Sequence, residues 1–157
     1  MDIAADIRRH LGDDWIGAIY REIREGRTRS LGLDYPEREN QAEIQYTLLG
    51  IELKVGKRRF AAPDLATARY MRVFARIGCR EFAVPYDITQ ISAIADRLET
   101  SWQNTLLLLD ERTKHLTPRS RSLSRSKLIK SLRNELIKIG AGEMMPLFDR
   151  ETRQRKR

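Results

Sequence analysis

The chain has 157 residues, 41% of them hydrophobic with only 9 glycines and 5 prolines, and a formal net charge of +8 from 30 basic and 22 acidic side chains, which fits one ordinary domain with a basic excess. No apolar run approaches the roughly 20 residues of a membrane-spanning helix, and the opening MDIAADIRRH has acidic residues and no apolar signal segment, so the expected setting is cytoplasmic. A single cysteine, Cys79, and two histidines, His10 and His115, exclude an internal disulfide, a cysteine-based zinc site and a multi-histidine metal centre.

The N-terminal part reads as helix. Asp13 or Asp14 is placed to cap a segment in which Trp15, Ile16, Ile19, Tyr20 and Ile23 recur at helical spacing, ending near Gly26. Residues 27–42 are polar and contain the turn-prone Asp34-Tyr35-Pro36, which fits a loop or a short first strand. Alternation follows. Ile44, Tyr46 and Leu48 share one face of an extended segment, and Ile51, Leu53 and Val55 one face of the next. Gly50 marks a turn or bulge between them, and Gly56-Lys57 a two-residue hairpin turn that returns the chain through Arg58 to Ala61.

Pro63-Asp64 opens a helix that Gly78 closes with a left-handed cap. Glu81 to Pro85 reads as a short apolar strand. Asp87, with Gln90 three residues later, makes a capping-box pattern. Ile91, Ile94, Leu98, Trp102, Leu106 and Leu109 then form the stripe of a long amphipathic helix through about residue 111. The order α-β-β(-β)-α-β-α predicts a single α/β (α+β) domain over residues 1–111, a small mixed sheet of roughly three or four strands packed with helices. Residues 112–125, rich in Ser and Arg and punctuated by Pro118, are expected as a basic linker. Residues 126–140 read as a short basic amphipathic helix, with Leu128, Leu132, Leu136 and Ile139 on one side, and 141–157 as a charged C-terminal tail.

Charge is segregated along the chain. Net values are −4 over residues 1–53, +7 over 54–80, −5 over 81–111 and +10 over 112–157. Residues 112 to 134 hold eight basic side chains and no acidic one: Arg112, Lys114, Arg119, Arg121, Arg125, Lys127, Lys130 and Arg133. A concentrated field of one sign attracts polyanions, and arginine forks match phosphate geometry. A solubilising tail, an acidic protein or an anionic membrane surface would suit such a run as well. In the first basic block, Arg69, Arg72 and Arg76 are spaced by 3 and 4 and line one helix face. That face has two readings, a binding surface or a solvated face paired across space with the acidic segments. Lys57, Arg58, Arg59 and Arg80 would extend the same surface.

The best enzymatic candidate is Glu52-Leu53-Lys54, because residues two apart on a strand share a face. A carboxylate holding Mg²⁺ beside a lysine that steadies the attacking water is a metal-dependent nuclease arrangement. The run of a strand with ELK, a helix over 64–77 and a strand over 81–85 resembles part of the PD-(D/E)xK nuclease fold. The resemblance implies an upstream acidic ligand, and the choices are Glu43 or Asp34, neither in a Pro-Asp context. Cys79 reads as a small buried thiol. Tyr35, Tyr46 and Tyr86 would stack on bases wherever they are exposed.

Together these features predict a non-catalytic nucleic-acid-binding or ribonucleoprotein-associated accessory protein without a cofactor. Its phosphate contacts would come from Arg69, Arg72, Arg76, Lys57, Arg58 and Arg59, and from Arg119, Arg121, Arg125, Lys127, Lys130 and Arg133. The alternatives are a Mg²⁺-dependent nuclease using Glu52, Lys54 and Glu43, and an assembly factor or subunit docking on an acidic protein.

Overall fold

A computed structural model describes residues 2–141, with five α-helices and five strands in mixed order. They are α1 (Ile3–Leu11), α2 (Ile16–Glu25), β1 (Thr28–Gly32), β2 (Ala42–Thr47), β3 (Gly50–Val55), β4 (Arg58–Ala62), α3 (Leu65–Ile77), β5 (Glu81–Pro85), α4 (Ile91–Thr113) and α5 (Pro118–Ile139). The expected mixing of helix and sheet holds. The strands divide into two small antiparallel sheets, a pair β1-β5 and a triplet β2-β3-β4. No helix among the described residues is long and apolar enough to cross a membrane.

The triplet carries one apolar and one polar face, as period-2 alternation requires. Ile44 lies opposite Leu53, Tyr46 opposite Ile51 and Ala42 opposite Val55, so these side chains share the face that packs on α3. Leu48, expected in the strand, lies instead in the turn with Leu49, and both are fully exposed. Gly56 takes φ 61° in the β3–β4 turn, a conformation that suits glycine.

Helix α3 is the centre of the molecule, with eight buried residues facing sheet, α4 and α5. The Asp64 carboxylate accepts the Thr67 N–H at its start, and Gly78 ends it at φ 91°, ψ 21°. A Cβ on Gly78 would lie 2.3 Å from the Arg38 carbonyl oxygen, so this position needs both glycine's conformational range and its missing side chain. Phe74 of α3 stacks on Phe82 of β5 at 4.4 Å, and the Tyr20 and Tyr70 rings pack against Phe74. Their hydroxyls are satisfied. Tyr70 donates to the Ala83 carbonyl at 2.6 Å, and Tyr20 accepts the Ala83 N–H at 2.7 Å.

Two helix starts differ from expectation. Asp13 and Asp14 do not cap α2; they form a 3₁₀ turn with Gly12, and Trp15 stands at the cap position without a side-chain bond. Asp87 bonds the Thr89 N–H and hydroxyl and caps a 3₁₀ turn, Ile88–Gln90, which leads into α4.

The largest departure is at the C-terminal end. Residues 118–125, expected within a linker, are the first turns of the 22-residue helix α5. Pro118 stands in the first turn, and the Thr117 hydroxyl accepts the Ser120 N–H at 3.2 Å, a complete N-terminal cap. Leu128, Ile129, Leu132 and Leu136 are buried in the same core as α1, α2 and α3. The helix is therefore part of the fold and not an arm attached to it. The expected tail, from residue 142 on, lies outside the described residues.

Candidate nucleic-acid interface

The arginine face of α3 does not meet solvent freely, because α4 packs beside it and presents carboxylates at matching spacing. Arg69 donates through Nε to both Glu99 oxygens at 3.2 and 3.3 Å and through Nη2 to Oε1 at 2.6 Å, and its Nη2 also pairs with Asp96. Arg72 reaches Glu99 Oε2 at 2.7 Å. Arg76 donates to the Ala42 carbonyl at 3.1 Å, and burial together with the charge of Arg72 pulls its pKa below the ordinary value. Burial pushes the Glu99 carboxyl up, but the bonds from Arg69 and Arg72 outweigh this and hold it below the usual range. These three side chains join a sheet and two helices.

At the β3–β4 turn, Arg58 pairs with Asp34 at 3.1 Å and Arg59 lies 3.7 Å from Glu52. Lys57 is exposed without an acidic partner among the described residues. Arg80 donates to the Tyr35 carbonyl at 2.8 Å. Tyr35 itself is buried and donates to the Cys79 carbonyl, so it offers no ring to a base. Tyr46 is 71% exposed; Tyr86 is partly exposed and holds the Arg27 guanidinium 4.2 Å above its ring.

The basic run from Arg112 to Arg133 splits into two sets. Arg112 bonds Asp6 at 2.6 Å, Arg121 lies 3.8 Å from Asp110, Arg125 bonds both Glu39 oxygens at 3.0 and 3.1 Å, and Arg133 donates to the Ile77 carbonyl at 3.0 Å. The Arg125–Glu39 bonds raise the Arg125 pKa above its ordinary value. Lys114, Arg119, Lys127 and Lys130 are exposed and have no acidic partner among the described residues. Within α5, Arg119, Leu123, Lys127, Lys130, Asn134 and Ile137 all fall on the outward face, at steps of 3 and 4. The inward face changes character along the helix. Arg121 and Arg125 meet carboxylates near its start, and leucines fill the core further on.

Glu43, Glu52 and Lys54 do share one face of the triplet sheet, since Glu43 lies opposite Lys54 and Gln45 opposite Glu52. The charged neighbour of Glu52 is Arg59, and Asp34 is held at the far turn by Arg58. Among the described residues no group of three or more His, Cys, Asp or Glu is arranged to hold a metal ion. Strand β5 pairs with β1 in the other sheet, so the strand–helix–strand run that resembles the nuclease fold does not lie in one sheet. Cys79 is buried, and desolvation raises its thiol to about 11. Such an environment suits a packed thiol rather than a thiolate.

Sequence reasoning found the basic residues but missed the carboxylates that pair with them, Asp96 and Glu99 for α3 and Glu39 and Asp110 for α5. Asp96 and Glu99 stand three apart on α4, a spacing that mirrors Arg69 and Arg72. Compared with known protein families, curated proteins and solved structures, the chain matches none.

Proposed function

We propose that this is a non-catalytic nucleic-acid-binding or ribonucleoprotein-associated accessory protein whose phosphate-contacting surface is the outward face of α5. The observation that carries the reading is the separation of partnered from unpartnered cations. Arg119, Lys127 and Lys130 lie on one exposed face of a packed helix and form no ion pair with a carboxylate among the described residues. At about 1.5 Å rise per residue these three span roughly 16 Å, long enough to follow several phosphates. Arg69, Arg72, Arg112 and Arg125 are engaged internally and belong to the scaffold. A cytoplasmic location belongs to the same proposal.

Three phosphate contacts on duplex DNA correspond to a log–log salt slope of about −2.7, or about 40-fold weaker binding between 50 and 200 mM salt. The test is fluorescence anisotropy with a labelled RNA single strand and a DNA duplex of equal length, at two salt concentrations. Lys127→Glu combined with Lys130→Glu should abolish most of the binding, and Arg125→Ala should leave it nearly intact. Affinity indifferent to salt, or a charge-reversed protein that binds like the wild type, would overturn the reading. A pulldown of an acidic protein that survives nuclease treatment would favour the assembly-factor alternative.

A further inference from the structure

A second basic surface lies on the other side of α5, and no charge pattern in the chain announces it. Arg8 and Arg9 of α1 and Arg21 of α2 surround a cleft of about 480 Å³ whose remaining wall includes Gly12, Trp15 and Glu135. Its volume falls in the range of small-ligand sites. Arg9 and Arg21 are exposed and form no hydrogen bond or ion pair among the described residues, Arg9 lying within electrostatic reach of Asp6. Arg8 lies 3.7 Å from Glu135, beyond hydrogen-bond distance, so its donors remain available to a ligand.

Glu135 is fixed. The Trp15 indole N–H is shared between its two oxygens at 3.2 and 3.3 Å, and its side chain is only 13% exposed. Gly17 makes this possible, because a Cβ there would stand 1.8 Å from Glu135 Oε2. The buried carboxylate therefore attracts Arg8 toward the cleft without neutralising the other two arginines. Three guanidiniums against one carboxylate leave a net of +2 around the opening. A phosphate monoester carries about −1.5 to −2 at pH 7 and offers three strong acceptor oxygens. The match is to that charge and that acceptor geometry.

We infer that this cleft is a binding site for a phosphate-bearing anion, either a free phosphate compound or the terminal phosphate of a polynucleotide. The inference stands whether or not the outward face of α5 binds nucleic acid.

The probe is inorganic pyrophosphate titrated into the full chain by isothermal calorimetry. Arg9→Ala with Arg21→Ala should weaken binding by about a hundredfold, since each charged hydrogen bond lost costs about a factor of ten. Arg29→Ala with Arg38→Ala removes the same charge from exposed positions outside the cleft and should leave affinity within about twofold. Melting curves of both doubles establish that they fold; among the described residues neither pair makes a side-chain hydrogen bond or ion pair. A 5′-phosphorylated oligonucleotide that outcompetes its 5′-hydroxyl counterpart, with the difference lost in the Arg9/Arg21 double, identifies the polynucleotide end as the source. Equal competition identifies a free phosphate compound. No measurable pyrophosphate binding, or equal weakening in both doubles, overturns the site.

Discussion

Replacing Glu99 by alanine tests whether the α3 arginines belong to the scaffold. The Glu99 side chain is 20% exposed, and the two guanidiniums it joins are 22% and 25% exposed. Without it Arg69 retains Asp96, whereas Arg72 loses its one hydrogen bond and its Nε is already buried without a partner. A hydrogen bond to a charged group contributes about 1.5–3 kcal/mol, and breaking a fully buried pair costs about 3–5 kcal/mol. Residual solvent access at Glu99 argues for the lower part of that span, about 2 kcal/mol. For a domain of this size that is a fall of about 6 °C in Tm. Asp96→Asn serves as comparison, because Asp96 is 65% exposed and surface pairs contribute about 0.2–1 kcal/mol. The pH dependence has a definite sign. The folded-state pKa of Glu99 is lowered, so its contribution is present above the ordinary value of 4.5 and is lost as pH falls below it, through the folded-state value. Thermal melts of wild type and variant should therefore converge on acidification. A variant melting within about 1 °C of wild type at neutral pH would refute the reasoning, as would a gap that stays constant down the pH range.

Two further outcomes follow from packing. Leu132→Ala should destabilise the protein by about 2–5 kcal/mol in urea denaturation, since Leu132 is fully buried, and a chain ending at residue 117 should fail to fold cooperatively; a truncated chain with a sharp melt would mean that α5 is dispensable. Gly78→Ala should cost about 3 kcal/mol or more, because φ 91° is unfavourable for alanine and backbone atoms of Arg38 occupy the space its Cβ needs; a change below about 1 kcal/mol would show that the Arg38 loop yields easily.

Local patterns in the chain carried the middle of the fold well. The alternation in Ile51, Leu53 and Val55, the Asp64 and Gly78 caps of α3 and the stripe from Ile91 to Leu109 each report a single element, and each element formed as written. Residues 118–125 escape a local reading because Ser and Arg suggest a linker and Pro118 suggests a break. The same Pro118 after Thr117, with Ser120 three positions on, is also a helix start, and the leucines beyond it show where that helix goes. Candidate binding residues were legible only as charges. Whether Arg69 faces Glu99 or solvent depends on how two helices lie against each other, and no spacing within one segment contains that information. The cleft around Arg8, Arg9 and Arg21 was invisible for the same reason, since Glu135 reaches Trp15 across 120 positions of chain.

Those long-range bonds have a consequence for how the molecule is made. The Trp15 indole bonds Glu135 and the Tyr20 hydroxyl bonds the Gly140 carbonyl, so the first helices are completed by the last described one. During synthesis α1 and α2 can pack on α4 but remain without α5 until it leaves the ribosome, and contacts this distant in sequence are slow to form. The nascent chain thus passes through a stage in which α1 and α2 lack the α5 side of their packing. Its tendency to aggregate should be decided in that interval, by how soon α5 arrives.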